Sequence, residues 1–203
     1  MELDAYKTIN QPSEGIYKEK GSKFIAYAYP VYDEEQIRGH IDHLKKAYYD
    51  ARHHCYAWQL GVGKDHFRAN DDGEPSGTAG KPIHGQILSH ELTNILIVVV
   101  RYFGGIKLGT SGLIAAYKAA AADAIANAEI IDKTVQDYYE IHFNYEAMND
   151  VMRILKDEQP EVIRQSFDLR CTIEFCQRTS QIEPLIHKLE SVTSVKTIFL
   201  RRA

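Results

Sequence analysis

The segment Asn94–Tyr102 contains Ile95–Val100, an unbroken run of Ile, Leu and Val. A strand with one wet face alternates apolar and polar residues, whereas a run without polar breaks must be covered on both faces. Asn94–Tyr102 is therefore predicted to be a central strand of its sheet. The run is also far shorter than the ~20 apolar residues needed to cross a bilayer as a helix.

The flanking segments read as companions for that strand. Gly15–Lys20 and Lys23–Val31 are rich in Ile, Tyr, Phe and Val, with Gly21-Ser22 as the turn between them. Asp33 is placed to cap a helix whose apolar positions Ile37, Ile41 and Leu44 recur at helical spacing. Cys55–Leu60 reads as a further strand. From Gly61 to Lys81 the periodicity stops and Gly, Asp, Asn, Ser and Pro dominate; irregular segments longer than ~12–15 residues are often functional. After Phe103-Gly104-Gly105 an alanine-rich helix is expected over about 110–127, lying tight against the sheet because its side chains are small. Ala128–Asp132 is expected to be a closing strand.

Near Lys133 the pattern starts afresh. Val135–Asn144 reads as a strand, Glu146–Lys156 as a helix, Glu161–Asp168 and Leu169–Cys176 as a hairpin, Ser180–Leu189 as a helix and Val192–Leu200 as a strand. That βαββαβ order is the ferredoxin-like plan. The expected fold class is α+β, with an N-terminal α/β domain over residues 1–133 and a ferredoxin-like domain over residues 134–203.

Composition restricts the partners. The 203-residue chain is 44% hydrophobic and 26% charged, which suits a globular protein. Its formal net charge of −4 provides no bulk attraction for nucleic acid or anionic lipid, so any polyanion must be held by a local patch. The polar start Met1–Asn10 lacks the pattern of a signal peptide. Three cysteines, Cys55, Cys171 and Cys176, leave at least one unpaired, as suits a reducing compartment. The expectation is a cytoplasmic protein without membrane association; the oligomeric state is left open.

Two segments are candidates for chemistry: Asp71–Pro82, and Val100–Leu113. The second combines a strand, a glycine-rich turn and a helix start bearing Thr110 and Ser111. Free amides and the helix dipole make such a junction an anion site, with Arg101 and Lys107 adding positive charge. The competing reading is that Gly104, Gly105 and Gly109 serve a tight turn and that Thr110 or Ser111 caps the helix. Gly104–Gly109 has P-loop spacing, but Thr110 stands where the P-loop lysine belongs, so this is no Walker A motif. In the first segment Asp71, Asp72 and Glu74 can hold a hard cation, although a solvated turn about Asp72-Gly73 is the commoner outcome. On a strand His53 and Cys55 face one side and His54 the other, and no second pair at zinc-ligand spacing follows. No metal and no cofactor is called for.

Several strings now take on a familiar look. Asp-Gly-Glu-Pro-Ser-Gly-Thr-Ala-Gly-Lys-Pro (72–82), Arg-Tyr-Phe-Gly-Gly-Ile-Lys-Leu-Gly (101–109) and Ala51–Trp58 resemble, in order, the signature of the IMPACT family. The second half is similar, by pattern, to the small C-terminal domain of bacterial members. The resemblance implies an N-terminal domain akin to the second domain of the fifth small-subunit ribosomal protein and a C-terminal domain akin to a ferredoxin-like domain of elongation factor G. Both relatives work on ribosomal RNA, and the eukaryotic namesake is associated with translational control. Two positions depart from the family: Ser111 replaces a usual glycine and Ala115 a usual basic residue, with Lys118 one turn later.

Two classes of function follow. The first is a translation-linked binding protein that contacts RNA, the ribosome or a translation-associated protein. The second is an enzyme acting on a phosphate-containing small molecule, or a peptidase-type hydrolase. Binding is preferred and no catalytic residue is assigned. The loop residues Asp71, Asp72, Glu74, Ser76, Gly77 and Thr78 are expected to share one site with the glycine junction. Lys81, Arg101 and Lys107 would face its anion, unless Arg101 is instead tied to Asp71, Asp72 or Glu74.

Overall fold

A computed structural model of the chain describes residues 4–63, 65–168 and 170–202. The described residues divide into two compact units, one within 6–133 and the other within 134–202 together with Asp4 and Ala5.

The first unit is built on an antiparallel five-stranded sheet of order β2-β3-β6-β4-β5: Ser13–Glu19 (β2), Ser22–Pro30 (β3), His53–Leu60 (β4), His66–Asn70 (β5) and Ile95–Tyr102 (β6). β6 is central, as its double-sided apolar run requires. Ile95, Ile97 and Val99 join one core with Phe24, Ala116 and Tyr117, while Leu96, Val98 and Val100 join the other with Ile37, Ile41 and Leu44. The latter three come from Glu34–Ala47 (α1), whose N-cap Asp33 accepts from the Gln36 amide at 2.8 Å. The opposite face is covered by Gly80–Ser89 (α2) and Gly109–Ala126 (α3).

The alanines of α3 let it lie close to the edge strand β2. A Cβ added to Gly15 would come within 2.2 Å of the Ala124 amide nitrogen. Ser13 Oγ donates to the Ala124 carbonyl and the Ile16 amide to Asp123, each at 2.8 Å, so α3 also occupies polar groups of this edge. Ala5–Ile9 (β1) and Ile130–Thr134 (β7) form a separate two-stranded sheet.

Three elements escape the sequence reading. β5 and α2 occupy the stretch expected to be irregular or left unassigned, and β1 lies in the polar N-terminus. β5, His-Phe-Arg-Ala-Asn, alternates polar and apolar residues, but it is a short edge strand with Phe67 and Ala69 as its apolar positions, inside a stretch dominated by polar and turn residues. α2 has Pro82 in its first turn, where proline is tolerated, but no local capping side chain. Its cap comes from Asp71, described below.

The second unit is a four-stranded antiparallel sheet of order β11-β8-β10-β9: Gln136–Phe143 (β8), Glu161–Phe167 (β9), Cys171–Arg178 (β10) and Lys196–Arg202 (β11). Met148–Glu158 (α4) and Thr179–Glu190 (α5) cover one face, where Val151, Leu155, Leu185 and Leu189 meet Ile141, Phe143, Ile173 and Phe175. This is the βαββαβ arrangement. Leu169, expected to begin the second hairpin strand, lies outside the described residues. Asp4 and Ala5 group with this unit, whereas they were expected within 1–133. Asp4 accepts from the Val135 amide at 2.8 Å through its carbonyl, and from Arg178 Nε and Nη2 at 2.8 and 3.1 Å through its carboxylate.

The closeness of β2 to α3 is testable. Gly15→Ala is expected to cost about 1–3 kcal/mol through forced separation of the two elements. Gly39→Ala, in open space on α1, should instead stabilise by roughly 0.5–1 kcal/mol through helix propensity. Equal denaturation midpoints for the two variants would contradict the packing described.

Candidate anion-binding cleft

Strand register assembles the polar centre of the first unit. On β6, Arg101 lies opposite Phe24 of β3 and His53 of β4, so all three point to the face that α2 and α3 cover. Arg101 is 7% exposed. Its guanidinium carbon lies 5.4 Å from the Phe24 ring centre and 5.7 Å from that of Phe103, distances at which the ring quadrupoles attract the cation. Arg101 Nη1 donates to Glu74 Oε1 at 2.5 Å, and the Tyr117 hydroxyl of α3 donates to the same oxygen at 2.9 Å. Cys55 Sγ lies 3.3 Å from the Tyr117 oxygen. Burial pushes both the Cys55 thiol and the Tyr117 phenol up, so both stay protonated and Tyr117 remains a donor to the carboxylate.

The acidic loop is latched internally. Asp71 accepts from the Gly77 amide at 2.8 Å and from the Ala79 and Gly80 amides at 3.0 and 2.8 Å, and so caps α2 from outside the helix. Burial raises its carboxyl, but those amides and then Lys81 outweigh burial and hold it below the ordinary carboxylate range. Asp72 accepts from the His54 amide at 2.7 Å through its side chain, and its carbonyl meets His53 Nδ1 at 2.8 Å. Asp72 and Gly73 take φ of 41° and 87°, the pivot expected of that pair. Thr78 Oγ1 donates to the Pro75 carbonyl at 2.7 Å, Gly77 has φ of 77°, and Ser76 is exposed. Among the described residues no group of three or more His, Cys, Asp or Glu is placed to hold a metal ion.

Part of the loop and part of the glycine junction do meet, in a cleft of about 850 Å³. Glu74 and Pro75 line it from the loop; Lys107, Leu108, Gly109 and Thr110 line it from the junction; Arg101 lies between. The remaining expected residues are elsewhere. Lys81 is exposed in the first turn of α2, beside Gly77 and Asp71, and does not line the cleft, so it does not face a shared site with Arg101 and Lys107. Gly104 is required by packing: a Cβ there would fall 1.9 Å from the Gly21 carbonyl carbon, and its amide donates to Ser22 Oγ at 3.1 Å. Gly105 and Gly109 take φ of 87° and 70°, conformations that favour glycine.

Neither Thr110 nor Ser111 caps α3. The N-cap is Leu108, without a side-chain hydrogen bond, and Ser111, Ala115 and Lys118 are exposed and do not line the cleft. A helix start left uncapped by side chains therefore faces a cleft containing Lys107 and Arg101. Arg101 Nε is buried without a hydrogen-bond partner. Arg52, His53 and Phe103 also line the cleft and were not assigned to a site from sequence. The usable signal was the Ala51–Trp58 string; the pairing of His53 with Arg101 appears only in the strand register. His53 Nδ1 donates to the Asp72 carbonyl, and its Nε2 lies 4.0 Å from Glu74 Oε1.

The fold and cleft define a two-unit α+β protein: an α/β unit with a buried Arg–Glu pair under an open cleft, and a ferredoxin-like unit. Residues 20–125 match the Impact N-terminal domain. The chain is 32% identical over 157 residues to the IMPACT family member YvyE of Bacillus subtilis, covering 77% of this chain and 72% of that protein. It is 33% identical over 150 residues to the IMPACT family member YigZ of Escherichia coli, covering 73% and 74% respectively. A crystal structure of a hypothetical protein superposes with a TM-score of 0.74 at 26% identity, covering 98% of this chain and 99% of the other. The chain belongs to the IMPACT family.

Two outcomes follow. Arg101→Ala leaves the Glu74 carboxylate buried without its cation and is expected to cost about 3–5 kcal/mol, read as a lowered unfolding midpoint. Because Asp71 is more acidic folded than unfolded, its stabilisation is present above about pH 4 and is lost as pH falls through the lower folded value. Asp71→Asn should remove that part of the acid dependence; an unchanged profile of stability against pH would reject the capping role.

Proposed function

We propose that this chain is a translation-linked binding protein and that its cleft holds a phosphate group of RNA. The observation that carries the reading is Arg101, a buried side chain that lines the cleft with Nε unpartnered. A guanidinium with an unpartnered, buried donor on a side chain that lines a cleft suits an oxyanion. Arg52 and Lys107 line the same cleft, are exposed, and have no ion-pair partner among the described residues. The start of α3 adds amides and the positive end of a helix dipole. Together they form the local patch that a chain of net charge −4 needs. Membership of the IMPACT family and the pairing with a ferredoxin-like unit support the link to translation.

A nucleophilic hydrolase is supported less well. The buried thiol at the site, Cys55, is kept protonated by burial, and its hydroxyl neighbour Tyr117 is committed to Glu74.

The test is a titration of the full chain with ribosomal RNA across a range of salt. Lys107→Ala and Arg52→Ala should each weaken binding and lower the slope of log affinity against log salt by about 0.7 for a single-stranded contact, with melting unchanged. Wild-type affinity in the double variant would remove the cleft from the RNA contact. Absence of any salt-dependent association would overturn the RNA reading itself.

A further inference from the structure

We infer that the cleft is a socket for a terminal phosphate monoester on a nucleotide, rather than a groove along which internal phosphodiesters run. The inference rests on the reading of the cleft as an anion site.

Depth is the first reason. The unpartnered Nε is itself buried, on a side chain that is 7% exposed, on a central strand, with its guanidinium carbon 5.4 and 5.7 Å from the Phe24 and Phe103 ring centres. A phosphate at a chain end can descend to Arg101 where its side chain lines the cleft. An internal phosphate, with a sugar on each side, would have to bring both along. The volume of about 850 Å³ falls in the range of roughly 300–1,000 Å³ typical of small-ligand sites, enough for a single nucleotide.

Charge is the second. The acidic groups lining the cleft are both engaged: Glu74 by Arg101 and Tyr117, and Asp50 by the Tyr102 hydroxyl at 2.7 Å. Arg52, Lys107 and the start of α3 remain for the ligand. A phosphodiester carries one negative charge, whereas a monoester carries about −1.5 to −2 near neutral pH and offers three terminal oxygens. A convergent set of two cations, a helix start and a buried guanidinium edge matches the latter.

The apolar lining is the third. Phe103 is 57% exposed and lines the cleft with Leu108 and Leu113. An accessible ring next to a phosphate site offers a stacking surface for a base, which favours a nucleotide over inorganic phosphate.

The experiment compares 3′-labelled single-stranded RNA oligonucleotides ending in either a 5′-phosphate or a 5′-hydroxyl, titrated by fluorescence anisotropy into the full chain. The 5′-phosphate form should bind about tenfold more tightly, the scale of one added charge-assisted contact set. Thr110→Asp places a carboxylate in the first turn of α3, where it favours the helix but repels the ligand. It should therefore erase the preference without lowering the melting temperature. A nucleoside 5′-monophosphate should compete better than inorganic phosphate. Competition equal to the RNA identifies the free nucleotide as the source of the monoester, and weaker competition identifies the RNA end; both support the socket. Equal binding of the two oligonucleotides, or a preference that survives Thr110→Asp, overturns the socket while leaving RNA binding intact. Failure of every RNA to bind at low salt overturns RNA binding at the cleft; if the nucleoside monophosphate also fails, the socket falls with it.

Discussion

Glu74 is almost fully enclosed, and Arg101 and Tyr117 converge on one of its oxygens. The interaction joins three parts of the first unit that are distant in sequence: the acidic loop, the central strand and the long alanine-rich helix. Burying an ion pair is at best weakly stabilising against a well-packed apolar alternative, but removing one partner is costly. Its consequence here is geometric. With the loop drawn down onto the sheet, Asp71 reaches the start of α2 and Asp72 reaches β4. The carboxylates of Asp71 and Asp72 are thereby satisfied by backbone amides.

The same arrangement gives the cleft its character. The helix start that a nearby carboxylate occupies, α2, is closed to ligands; the one without a side-chain cap, α3, opens on the cleft. Arg101 gives Glu74 one nitrogen and keeps Nε free of protein partners. Arg52 and Lys107 meet at the same place from β4's approach and the junction before α3. In a chain with excess negative charge, Arg52, Arg101 and Lys107 all line this one concavity.

Much of the fold was legible because hydrophobic burial leaves periodic traces. The apolar run at Ile95–Val100 required a central strand, Asp33 announced α1, and the second half showed its βαββαβ order through alternation and helical spacing. β5 and α2 were illegible for physical reasons: a five-residue edge strand shows its alternation through only two apolar residues, Phe67 and Ala69, too short a run to stand out from the polar loop around it, and a helix capped by Asp71 shows no capping residue beside its own start. The site was half legible. Glycines at 104, 105 and 109 marked the junction, and Arg101 was open to two readings, an anion ligand or a partner of the acidic loop. In the structure it is paired with Glu74 and lines the cleft. Lys81 carried the right charge in a suggestive motif, yet its position in α2 places it beside Asp71, away from the cleft.

The sequence by itself determined the fold class, the central strand, the restart near Lys133 and the family, because each depends on local periodicity or on contiguous strings. Tertiary structure decided which of the acidic residues would be spent as caps and latches, which one would hold Arg101, and which cations would meet. Those outcomes depend on strand register and on contacts between residues far apart in the chain: His53 faces Arg101 across β4 and β6, and Glu74 reaches Arg101 and Tyr117 from a loop. Local composition carries no record of such pairings, because a charged side chain has the same sequence appearance whether it ends in solvent, in a cap or in a buried pair.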